Sequence, residues 1–122
     1  MAITITPLGI AGNALRIMRD AVVNATSENN VNDGAATIYA VTVDNSANGA
    51  KTFVKFYNAA APVVGTTDPD MILMLPASTT RTFVMKTGNN FATALSYAGL
   101  TTAGTAGTTN PVSSVIMNVV VS

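Results

Sequence analysis

The strongest constraint on the fold is a period of two. In ATIYAVTVDN (residues 36–45), Tyr39, Val41 and Val43 alternate with Ile38, Ala40 and Thr42. In KTFVKFYN (residues 51–58), Phe53, Lys55 and Tyr57 alternate with Thr52, Val54 and Phe56. Successive side chains of a strand point to opposite faces, and β-branched and aromatic residues suit a pleated, half-buried surface. Between the two runs lies DNSANGA, whose Asn, Ser and Gly supply Asx-turns and positive φ. The pair reads as an antiparallel hairpin with a longer connection.

The same pattern recurs along the chain. MAITITP reads as a short strand. NALRIMRDAVVNA fits helical and strand spacings about equally, and its strand reading is preferred because no helix stop flanks it. DMILMLPA is apolar on both faces, ends at Pro76, and is expected inside the sandwich. STTRTFVMKTGN carries Phe83 and Met85 on one side, with Thr82, Val84 and Lys86 on the other. TGNN reads as a turn before an Ala-rich strand in FATALSYAGL. The nearly continuous apolar run from Val115 to Val121 should be central or covered on both faces. TSENNVNDG, residues 59–70 and LTTAGTAGTTNP are the long loops. Seven to eight strands with little helix define an all-β chain, a single-domain antiparallel β-sandwich or jelly-roll-like fold over residues 1–122. Residues 1–8 are expected as an extended amino-terminal arm.

The residues absent from the 122 narrow the chemistry. There is no histidine and no cysteine. Ser–His and Cys–His nucleophilic catalysis are therefore excluded, as are imidazole and thiolate metal sites and disulfides. Six cations balance six carboxylates, and only 10% of residues are charged, against about 25% in an ordinary soluble domain. Six scattered cations make no footprint for nucleic-acid phosphates. A neutral, weakly charged surface favours association. The apolar runs fall far short of the about 20 residues that a membrane-spanning helix needs, and the start of the chain lacks the order of a secretory signal.

Two routes to a reaction or ligand remain. Asp68 and Asp70, with Asp33, Asp44 or Glu28, could pair as hydrolytic carboxylates or bind calcium. TTDPDM is equally good turn chemistry, Asp68 standing before a proline and Asp70 at a strand entry, and the turn is the preferred reading. GTAGTTN and GNNF contain glycines but lack the strand–loop–helix setting and lysine of a phosphate cradle. Tyr39, Tyr57 and Tyr97 read as core or interface residues rather than stacking platforms. Lys55 and Lys86 read either as solvated or as ion-paired with a neighbouring subunit. Met71, Met74, Met85 and Met117 read as core filler. No catalytic, cofactor, metal or nucleic-acid site residue is assigned, and no cofactor is expected.

The order IYAVTVDNSANGAKTFVKFYN, PVVGTTDPDMILMLPAS, GNNFATALSYAGLTTAGTAG and a Val-rich closing strand resembles small virion proteins of tailed bacteriophages, notably those of cyanobacterial and marine phages. The likeness covers about residues 38–121. It implies a capsid decoration, or cement, protein: a non-enzymatic β domain, often trimeric, binding the major capsid protein on the outer head shell after synthesis in the host cytoplasm. Other readings are a neck, tail or fibre-associated virion protein, and a carbohydrate-binding module using Tyr57 or Tyr97. The loop Ala59–Asp70 and the arm Met1–Leu8 are expected to touch neighbours.

Overall fold

A computed structural model describes residues 3–7 and 15–122. Those residues form eight strands and no helix: β1 (Ile3–Pro7), β2 (Arg16–Val23), β3 (Ala36–Asp44), β4 (Thr52–Tyr57), β5 (Met71–Leu75), β6 (Thr80–Phe91), β7 (Ser96–Leu100) and β8 (Val115–Val121). Two antiparallel sheets result, one ordered β1-β2-β8-β3-β6 and the other β5-β4-β7. The all-β sandwich read from the period-two pattern is the fold, and residues 16–23 are a strand.

The inner faces of both sheets share one core. β8 contributes Val115, Met117, Val119 and Val121, all buried, on one side of its alternation. Ile38, Val41 and Val43 of β3 join them, with a bulge at Tyr39 that sets two β3 residues against one of β8. The smaller sheet answers with Val54, Phe56, Leu73, Leu75 and Tyr97. The Phe56 ring lies 6.4 Å from that of Phe91 and 6.1 Å from that of Tyr97, both tilted. Each such side chain contributes about 1.5–3 kcal/mol by leaving water. Where β7 crosses β2, a side chain at Gly99 would stand 2.8 Å from Val23 Cγ1, so the close approach requires glycine.

Pairing differs from expectation in four places. β3 and β4 are not a hairpin: β3 pairs with β6 and β8, whereas β4 pairs with β5 and β7. The connection between them crosses from one sheet to the other, and buried amides hold it there. Asn45 Nδ2 donates to the carbonyls of Ala50 and Pro76, and Thr52 Oγ1 and Asn48 Nδ2 donate to Asn45 Oδ1. Asn48 also clamps Ser113, accepting its N–H and donating to its carbonyl. These bonds satisfy polar groups that burial would otherwise penalise.

β5 is an edge strand, not an interior one. Leu73 and Leu75 enter the core, while Ile72 and Met74 remain 37% and 38% exposed. TGNN is no turn but part of β6. The register moves from Ala40↔Val84 to Ile38↔Asn89, and Gly88 absorbs the irregularity at φ +80°. In FATALSYAGL only Ser96–Leu100 is strand, and Phe91 closes β6. Of the expected arm, Ile3–Pro7 is paired to β2 as an edge strand, while residues 1, 2 and 8 lie outside the described residues. The expected central placement of β8, between β2 and β3, is found.

Candidate interaction surfaces

Each sheet has an outer face, and the two are treated oppositely. On the three-stranded sheet, alternation turns Phe53, Lys55 and Tyr57 of β4 outward, with Ser96, Ala98 and Leu100 of β7 beside them. The long loops 58–70 and 101–114 fold over this face. Tyr57, Ala98 and Leu100 form a second small core with Ala25, Ala59 and Val64. The loops are locked by their own polar groups. Asp70 accepts the Asn58 N–H, Thr67 Oγ1 accepts the Val63 N–H at 2.9 Å, Asp68 accepts the Thr105 hydroxyl, and Asn110 accepts the Ala25 N–H at 2.9 Å. Much of the loop Ala59–Asp70 is thus spent on its own sheet.

Lys55 is the surprise on this face. It is 0% exposed, has no carboxylate partner among the described residues, and its Nζ donates to the Ala106 carbonyl at 3.1 Å. Burial pushes its ammonium below the usual lysine range. Tyr57 is equally buried, its hydroxyl has no hydrogen-bond partner among the described residues, and burial pushes that hydroxyl up. Lys86, by contrast, is exposed on β6.

The outer face of the five-stranded sheet has no loop layer among the described residues. Register places Thr6, Ile17, Val120, Ala40 and Val84 in one cross-strand row, with Val84 70% exposed. The next row is Thr4, Arg19, Asn118, Thr42 and Thr82. Thr42 and Thr82 share a hydroxyl–hydroxyl bond of 2.9 Å. Asp44 ends β3, its carboxyl held below the usual range by hydrogen bonds from Ser46 and Thr80. The face is broad, hydrogen-bonded and weakly charged, with an apolar stripe running across β2, β8, β3 and β6 and ending at Thr6 of β1.

The candidate carboxylates are tied into separate local structures. Asp68 and Asp70 serve the loop, Asp44 caps its own strand end, and Asp33 sits at φ 51° in a turn. No cluster of three or more metal-ligating carboxylates occurs among the described residues. Glu28 pairs through its backbone with Tyr97 and meets Asp20 instead; burial, then the Asp20 charge, raises its pKa. Asp20 was not singled out in the sequence. It is buried, accepts the Tyr97 hydroxyl at 2.9 Å and the Val22 N–H, and helps burial push that tyrosine up. Its signal was a carboxylate two residues after Met18, on the core side of a strand. Met117 is core, Met71 and Met85 pack against it half-buried, and Met74 faces outward.

Two shallow pockets flank the exposed Val112, about 210 and 190 Å³. The larger is lined by Asn48, Lys51, Thr101 and Pro111, the smaller by Val22, Asn24 and Asn110. Neither holds a convergent set of reactive groups. No helix among the described residues is long and apolar enough to cross a membrane. Comparison with family models, curated proteins and solved structures yields no match.

Proposed function

We propose that the chain is a non-enzymatic structural protein of a tailed-bacteriophage virion, a decoration protein that docks on the major capsid protein at the outer head surface. The observation that carries the reading is the bare outer face of the five-stranded sheet, with its row Ile17–Val120–Ala40–Val84. A rigid face that needs no ordering on contact loses little conformational entropy when it binds. Among the described residues Arg19, Asp44 and Lys86 are its charged side chains, so little charge must be stripped of water. Contact with several shell subunits raises effective affinity without new chemistry. The resemblance in residues 38–121 names the shell as partner.

The test is quantitative mass spectrometry of purified particles, with antibody labelling. Hundreds of copies spread over the head support the reading. A handful of copies at one vertex would transfer the protein to the neck or tail, and absence from particles would end the virion reading. The carbohydrate-binding alternative loses its platform, because Tyr57 and Tyr97 are 0% and 1% exposed.

A further inference from the structure

Two sheets present four outer edges, and three of them are blunted. The β7 edge is occupied by residues 24–28: the Gly99 N–H donates to Asn24 O at 2.8 Å, and Glu28 and Tyr97 exchange backbone bonds of 2.9 and 3.0 Å. The β6 edge carries Arg81 and Lys86 and is broken by its register shift and by Gly88. β5 is five residues long, lies between Pro69 and Pro76, and is approached by the Asn89 amide, which donates to Met71 Sδ. Charge, irregularity, proline and coverage are the ordinary means of stopping strand addition.

β1 carries its proline, Pro7, at its end, and over Ile3–Thr6 it has no charge, register break or cover among the described residues. It is uncharged and β-branched, and among the described residues no strand lies on its outer side. It also overhangs. β7 crosses β2, as the Tyr97–Asp20 and Gly99–Val23 contacts show, so β1 projects past the smaller sheet. Ile5, opposite the buried Met18, therefore faces the core side yet is 47% exposed.

We infer that β1 is a homodimerisation edge, pairing antiparallel with β1 of a second copy about a two-fold axis at Thr4. That register sets Thr4 against Thr4 of the partner subunit on the outer face, and Ile3 against Ile5 of the partner subunit on the inner face. Ile3 already packs against the main core, so the partner's Ile5 extends that core across the axis. A second copy fits because the strand matches itself under this operation and the neutral chain opposes no approach. The two large sheets then become one. A five-residue pairing buries less than a standard interface of about 1,600 Å², so the dimer is weak and concentration-dependent. It closes with two copies, unlike the trimer the virion resemblance implies.

The absence of native cysteine gives a clean test on purified protein without particles, so its outcome is separate from that of the virion reading. Cα atoms of directly opposed antiparallel residues stand about 4.5–5.5 Å apart, within disulfide reach. T4C should oxidise to a covalent dimer at least tenfold faster than T82C on the other edge, read by non-reducing electrophoresis and intact mass. Light scattering of wild type should show mass rising toward a dimer with concentration. Ile5→Lys should weaken that association at least tenfold while leaving the urea midpoint unchanged. Equal oxidation rates for the two cysteine variants, a wild type monomeric at millimolar concentration, or a trimer in which T4C does not cross-link would each overturn the inference.

Discussion

The outer face of the three-stranded sheet and that of the five-stranded sheet start from the same period-two pattern and end in opposite states. The first is roofed by the chain's own loops, which bury Lys55 and Tyr57 completely. The second leaves a row in which Ile17, Val120 and Ala40 are half-buried and Val84 is exposed. A sheet needs only one covered face to fold, so what a chain does with the other is a choice about partners. Here the loops conceal one outer face and, among the described residues, leave the wider one uncovered. Side chains of the roofed face should therefore report on stability, and those of the bare face on binding.

The largest effect should come from the roofed face. Tyr57→Ala empties the small core under the loops and should cost about 3–5 kcal/mol in urea unfolding. A loss below about 1 kcal/mol would mean that the roof is not packed. On the bare face, Val84→Lys with Thr82→Lys should cost no more than about 1 kcal/mol, both sites being exposed and the Thr42–Thr82 hydroxyl bond the main loss. The same pair should weaken sedimentation with particles at least tenfold, about 1.4 kcal/mol. Undiminished binding would erase the distinction between the faces.

Smaller effects sharpen the comparison. Tyr57→Phe removes a buried hydroxyl that has no partner among the described residues, and should be neutral or stabilise by up to about 1 kcal/mol. The smallest signal is in pH. Because burial lowers the folded-state pKa of Lys55 from 10.5, the unfolded chain binds more protons in the alkaline window just below that value. Stability from this group accordingly rises with pH there. Above about pH 10 the raised hydroxyls of Tyr57 and Tyr97 act in reverse, since the unfolded chain then loses protons that the fold retains. Urea midpoints measured from pH 8 to 10 should rise more in wild type than in Lys55→Met. Parallel profiles would show that the ammonium is solvated after all.

Strands were legible because alternation is a local property. Arg16–Val23 reads as strand once Ile17, Arg19 and their neighbours are placed on two faces, and the Val115–Val121 run announces a central position. Pairing was not legible. DNSANGA looks like hairpin chemistry, but Asn45 and Asn48 spend their amides on distant carbonyls at Pro76 and Ser113. Such bonds depend on segments more than thirty residues away. For Lys55 the alternation offers a solvated face or an ion pair with a neighbouring subunit, and the roof that buries it instead is a tertiary fact. Its flanking aromatics, Phe53 and Tyr57, were the available hint. β5 shows the converse, since Ile72 and Met74 are apolar yet stand at an edge.

The place of β8 in the large sheet has a consequence for biosynthesis. Residues 115–121 lie between β2 and β3, so those earlier strands have no bridge until the ribosome has passed Val121. Nascent chains must wait with β2 and β3 apart, and pairing so distant in sequence is slow to form. Premature termination a few codons upstream would leave two half-sheets seeking other partners, and aggregation rather than a shortened domain should result.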